Sequence, residues 1–131
     1  MGPGRLFAPS NINAVNDNPG YRKLVDYYLS EDFSLRVTGS LVADVNQILV
    51  KGYGCFAHAA SEKHPPTLRA LYESVPLSFI VEKAGGRSSN GEGSVLDHTI
   101  TTTSDRIQMV CGSDVEVERF ECVVGPESDG W

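Results

Sequence analysis

Arg36 stands three residues before Gly39 in "LRVTGSLVADVNQILV", residues 35–50, where an apolar alternation gives way to Thr-Gly-Ser and a helix-like run. The free N–H groups and partial positive charge of a helix start favour an anion. A glycine lets backbone approach a ligand closely, and an arginine can grip phosphate oxygens with two parallel hydrogen bonds. The same residues also make an ordinary strand-to-helix junction, and spacing alone leaves both readings open.

Other candidates are single groups. Glu73, in "LRALYES", lies three residues before Pro76, where a carboxylate at an element boundary can ligate a hard cation such as magnesium. It can equally be a capping residue. Asn18 and Tyr21 sit one turn apart at a helix start and offer an amide and a phenol together, or a cap and a core tyrosine. His58, His64 and His98 show no metal spacing and no neighbouring nucleophile. "SSNGEGS", residues 88–94, lacks the lysine of a phosphate loop and reads as a plain loop.

The elements that must position these groups follow from periodicity. "RLFA", residues 5–8, is a short strand candidate. Asn18 caps a helix over 19–30, with Pro19 in the first turn and Tyr21, Leu24, Val25, Tyr28 and Leu29 on one face. Phe33, Leu35 and Val37 alternate as in a strand, with Arg36 on the opposite face. Leu41, Val45 and Ile48 restore helical spacing behind a Thr38 or Ser40 cap. "CFAHA" (55–59) and "IQMVC" (107–111) read as strands, and "LRALYE" (68–73) as strand or helix start. Pro76 opens a helix with Leu77, Ile80, Val81 and Ala84 on one face, closed by Gly85-Gly86. Ser113 and Glu116 match a capping box for a last helix carrying Val117, Phe120 and Val124 inward. Strands separated by helices predict an α/β layered domain with a mixed, largely parallel sheet flanked by helices.

A length of 131 residues suits one domain, taken as residues 5–124, with 1–4 an appended or disordered start and 125–131 a loose tail. A net charge of −6 argues against nucleic acid or an anionic membrane surface as partner, though not against a small anion held by local cations. No apolar run approaches the ~18 residues of a membrane span. Three cysteines without a C-x-x-C spacing read as thiols in a reducing compartment.

Taken in order, "LFAPSNINAVNDNPGYRKLVDYY", "LRVTGSLVADVNQILVKGYG", "LRALYES", "VEKAGGRSS", "SVLD" and "DRIQMVCGSDVEVERFE" resemble the C-terminal half of the fructose-1,6- and sedoheptulose-1,7-bisphosphatase family. "DNPGYRKLVDYY", "DVNQILVK" and "GSDVEVERFE" lean toward the sedoheptulose type, "GSLVADV" toward the fructose type. The resemblance implies a substrate-binding domain for metal-dependent hydrolysis of a sugar bisphosphate in carbohydrate metabolism. It implies that Asn18, Tyr21 and Arg36 bind the phosphate distal to the cleaved one. Arg36 would reach into a neighbouring subunit of a homo-oligomer. Ser40, Leu41 and His58 would line the substrate, and Glu73 would help to hold Mg2+ in the complete enzyme.

Departures accompany it. Val37 and Thr67 stand where the family usually has a tyrosine and a lysine, and His58 where fructose bisphosphatases have a tyrosine. Lys63 or His58 is a candidate to replace the lysine. The acidic D-P-x-D-G-S metal motif of the family's N-terminal half is absent from these residues. Isolated activity is therefore not expected, and the N-terminal half becomes an expected partner. The alternative is a free-standing, non-catalytic domain that binds phosphorylated sugars or pairs with a partner chain. Plastid and cytoplasm both remain open.

Overall fold

The computed structural model describes residues 1–124; the expected tail at 125–131 lies outside the described residues. Five strands form one mixed sheet: β1 (Leu6–Ser10), β2 (Ser34–Leu35), β3 (Cys55–His58), β4 (Arg87–Ser89) and β5 (Met109–Gly112), in the order β2-β1-β3-β5-β4. β1 pairs in parallel with β2 and β3, whereas β5 runs antiparallel to both β3 and β4. Helices α1 (Pro19–Ser30), α2 (Leu41–Lys51), α3 (Val75–Lys83) and α4 (Asp114–Val124) cover the two faces.

Strand alternation divides the core in two. Leu6, Ala8, Phe56, Met109 and Cys111 face Val45 and Ile48 of α2 and Val81 of α3. Phe7, Cys55, Ala57 and Val110 face Tyr21, Leu24 and Tyr28 of α1 and Val117, Phe120 and Val123 of α4. Each side chain on a strand points opposite to its neighbour, so one apolar run feeds both layers. Cys55 and Cys111 therefore lie on opposite sides of the sheet, both free and buried.

Local chemistry explains most boundaries. Asn18 Oδ1 accepts from the Tyr21 amide at 3.1 Å, the expected cap of α1. Ser40 Oγ caps α2 by accepting from the Ala43 amide at 3.4 Å. The strand expected over 33–37 contracts to Ser34–Leu35, because the Phe33 amide turns back to the Tyr28 carbonyl. Arg36 N still donates to Phe7 O, which aims the alternate backbone groups of β1 at β2. Pro9, two residues on, directs its missing N–H to that side, beyond the end of β2, and costs the sheet nothing.

Other expectations are revised. "LRALYE" is neither a full strand nor an α-helix start: after one antiparallel bridge between Arg69 and Arg106, Ala70–Ser74 forms a π-helical segment feeding α3. That segment shifts the buried face of α3 to Ser74, Ser78 and Val81, while Ile80 and Ala84 turn outward. Ser88 and Ser89, expected to begin a plain loop over 88–94, instead belong to the strand Arg87–Ser89. Residues 1–4 are not loose. The Met1 ammonium donates to Gly85 O, Gly2 N donates to Gly52 O, and Gly2 O accepts from the Ser113 hydroxyl.

Ser113 and Glu116 do not form the expected capping box. The Ser113 hydroxyl accepts from the Gly54 amide, and Glu116 is drawn inward. Only 3% exposed, Glu116 accepts at Oε1 from the Tyr28 hydroxyl at 2.6 Å and from Arg119 Nε at 3.1 Å. Arg119 in turn lies over the Tyr27 ring at 4.1 Å. This network fastens α4 to α1. Tyr28→Phe removes a hydrogen bond to a buried carboxylate and should cost about 1.5–3 kcal/mol in urea unfolding. An unchanged midpoint would show that Arg119 alone satisfies Glu116.

Candidate substrate pocket

Three segments leave the sheet at one end: the chain after β1, the chain after β2, and the loop after β3. The connection from β1 to β2 carries α1 on one face, and that from β2 to β3 carries α2 on the other. Right-handed crossovers require this when the direction of strand addition reverses, and the reversal opens a crevice at the carboxyl ends of the strands. A cavity of about 350 Å³ occupies it.

Ser10 and Asn11 supply one wall, Val37, Gly39 and Leu41 another, and Thr67, Leu68 and Glu73 a third. Asp44 and Phe56 complete the lining with Pro9 and Ile12. Gly39 has φ 90°, and a Cβ placed there would meet nothing within 4 Å, so backbone conformation rather than crowding requires glycine. Asp44 Oδ1 accepts from both the amide and the hydroxyl of Thr38, at 2.9 and 2.8 Å, while Thr38 Oγ1 accepts from Ser40 N. These bonds hold the turn that presents the amino end of α2.

Arg36 is exposed at the edge of the sheet, and its guanidinium makes no hydrogen bond or ion pair among the described residues. Glu73 is half-buried in the π-helical segment, with Oε1 accepting from the Arg69 amide at 2.9 Å. Its second oxygen has no described partner. Inserting an extra residue into a helical turn is a common way to aim a functional side chain. No group of three His, Cys, Asp or Glu able to hold a metal ion occurs among the described residues. Glu73 has one carboxylate oxygen without a described partner, and the described residues alone build no complete metal site.

His58 is a brace behind the walls. Its Nε2 accepts from Thr67 N at 3.2 Å, so Nδ1 carries the proton and donates to Ser10 Oγ at 2.9 Å. Burial lowers its pKa from the ordinary 6.5 to about 4, with the Glu73 charge pulling weakly the other way.

A family model described as "Fructose-1-6-bisphosphatase, C-terminal domain" matches residues 2–125. The chain belongs to that family. A chloroplastic sedoheptulose-1,7-bisphosphatase from Triticum aestivum is 49% identical over 121 residues, 92% of this chain and 31% of that protein. A class 1 fructose-1,6-bisphosphatase from Cytophaga hutchinsonii is 42% identical over 79% of this chain and 30% of its own length. A crystal structure assigned to a sedoheptulose-1,7 bisphosphatase of Toxoplasma gondii superposes with a TM-score of 0.88 at 41% identity, covering 90% of this chain and 38% of that one. The chain spans about a third of the length of the curated relatives it matches. It is a C-terminal domain of the sugar bisphosphatase family.

Within this bisphosphatase domain the expected residues separate into two groups. Leu41 and Glu73 line the crevice, Ser40 caps the helix beside it, and Arg36 immediately precedes Val37, a lining residue. Asn18 and Tyr21 do not join them. Asn18 is occupied as a cap and by donating from Nδ2 to Ala60 O at 2.8 Å, and it borders a different hollow with Pro19 and Lys23. Tyr21 is fully buried, its hydroxyl donating to Ser10 O at 2.7 Å. In this chain both side chains are held by intramolecular hydrogen bonds away from the crevice. His58, as a neutral brace, offers no cation in place of the lysine absent at Thr67, and Lys63 does not line the crevice.

Asn11, Ser10 and Asp44 escaped notice. Asn11 has a left-handed φ of 53°, and its Nδ2 donates to Ala59 O and His64 O, closing the wall. Asp44 had a visible signal: it falls at i+3 from Leu41 and i−4 from Ile48, a carboxylate on the apolar stripe of α2.

The depressed His58 pKa has a definite sign. Below pH 6.5 the unfolded chain takes a proton that the folded chain refuses until about pH 4, so stability falls as pH drops through that window. His58→Gln should therefore lose less stability than wild type between pH 7 and pH 4.5, by urea midpoints at each pH. In wild type the His58 ring should remain neutral at pH 5.5 by NMR; a ring that titrates near 6.5 contradicts the buried brace.

Proposed function

We propose that this domain forms the sugar-phosphate wall of a metal-dependent sugar bisphosphatase. The supporting observation is convergence. One crevice receives the amino end of α2, the Gly39 backbone and the Glu73 carboxylate, and Arg36, without a partner among the described residues, adjoins the lining residue Val37. Helix amides and an arginine suit the phosphate that stays on the sugar. Glu73 would lend one oxygen to divalent metal held mainly by groups outside these residues. The metal, when bound, polarises the phosphoryl group and activates water. The residues of this chain bind and orient the sugar bisphosphate beside it.

The higher identity to the wheat sedoheptulose enzyme supports a sedoheptulose bisphosphate substrate, and its chloroplastic name supports a plastid over the cytoplasm. An unpaired Arg36 beside exposed Leu35 and Val37, on a two-residue edge strand, supports a homo-oligomer in which Arg36 reaches a neighbouring subunit. The non-catalytic alternative draws on Thr67 lining the crevice where a lysine is usual.

Titrating the chain with sedoheptulose-1,7-bisphosphate should move the amide resonances of Arg36, Gly39, Leu41 and Thr67. Arg36→Met should weaken binding by about ten- to a hundredfold, since charge-assisted hydrogen bonds contribute about 1.5–3 kcal/mol. Absence of any shift at these residues refutes the binding role. With magnesium present, phosphate release should not exceed that of Glu73→Gln; release above that control would mean that the chain is catalytically complete. Light scattering should show association that grows with concentration, and a monomer throughout would remove the neighbouring-subunit role of Arg36.

A further inference from the structure

Among the described residues, the lining of the crevice contains two carboxylates, Asp44 and Glu73, and no lysine or arginine. Two acids repel the phosphates that Arg36 and the amino end of α2 draw to the rim. The lining is therefore suited to neutral donors or to a cation. Glu73 already uses one oxygen on the Arg69 amide. Asp44 is 3% exposed, and both of its described hydrogen bonds fall on Oδ1.

Asp44 Oδ2 accepts no hydrogen bond from a described residue, yet it is not sealed from the crevice. Among the described residues the buried side-chain polar atoms without a partner are Ser74 Oγ, Ser78 Oγ and His98 Nε2, and Asp44 Oδ2 is not one of them. Thr38 fixes the carboxylate through Oδ1 and leaves Oδ2 without a described partner on a side chain that lines the cavity. When a ligand displaces water there, that oxygen requires a donor or pays a desolvation cost. An ionised phosphate has no proton to give. A sugar hydroxyl does.

We propose that Asp44 is a specificity-determining residue whose Oδ2 accepts a hydrogen bond from a hydroxyl of the polyol lying between the two phosphates. Oδ1 meanwhile positions the Thr38–Ser40 turn. This rests on the bisphosphate-binding reading above and adds to it the reason for choosing a hydroxylated chain over any bisphosphate of similar length.

The test compares the affinity of the 131-residue chain for sedoheptulose-1,7-bisphosphate and for heptane-1,7-diol bisphosphate, which has the phosphates but no hydroxyls. Wild type should prefer the sugar by about tenfold, the usual worth of a hydrogen bond to a charged group. Asp44→Asn keeps an oxygen for Thr38 but turns a donor into the crevice, and it should abolish the preference. An unchanged Thr38 amide resonance would show that the turn survives the substitution. The carboxyl carbon of Asp44 should shift with the sugar and not with the diol bisphosphate. Equal affinities in wild type, or a preference that persists in Asp44→Asn, overturn the proposal and leave the bisphosphate reading standing. Binding of neither ligand overturns both. A shift of the Asp44 carboxyl carbon with magnesium alone identifies a cation ligand and overturns the hydroxyl role.

Discussion

The parallel pairing of β1 with β3 is the constraint on which the rest of the structure depends. Phe7 through Ser10 match Cys55 through His58 residue for residue, and these strands are buried on both faces apart from Ser10. A parallel pair cannot be closed by a tight turn, so the chain must travel over the sheet and return. It does so with α1 on one face and α2 on the other, and the loops that follow β1, β2 and β3 meet at the same end. The crevice follows from that traffic rather than from any single side chain.

Electrostatics then divides the crevice into zones. The chain carries a net charge of −6, and its cavity lining is acidic as well. On the proposed reading, anion affinity would come from Arg36, exposed and without a partner among the described residues, and from the amides at the start of α2. His58 adds none, because the desolvation that makes it a good brace between Ser10 and Thr67 also keeps it neutral. The same burial that shapes the walls removes charge from them.

What could be read from the sequence was whatever local periodicity controls. Helix α1 was visible because Asn18, Pro19 and the stripe Tyr21, Leu24 and Tyr28 all agree, and its observed bounds are 19–30. The mixed sheet flanked by helices and the family membership were also legible, the latter through ordered motifs. Longer-range chemistry was not. The apolar face of α3 was misplaced because serines occupy buried positions, following a π-helical segment that no propensity announces. Ser113 and Glu116 have capping-box spacing, yet contacts to Gly2, Gly54 and Tyr28 recruit both side chains elsewhere. The hydrogen bonds of Asn18 to Ala60 and of Tyr21 to Ser10 join parts of the chain whose proximity local spacing does not announce. Asp44 was passed over because an acid in a helix ordinarily faces water.

The π-helical segment at Ala70–Ser74 also bears on how this region can change in length. A π turn holds one residue more than an α turn, so removing one residue from it would regularise the backbone without breaking the helix into α3. Each residue of an α-helix advances about 100° around the axis. A single deletion there would swing the Glu73 position out of line with the crevice while leaving the sheet, the two cores and the Asp44 turn as they are. In sequence alignments such a one-residue gap would look minor, yet it would take the Glu73 carboxylate away from the cavity it lines.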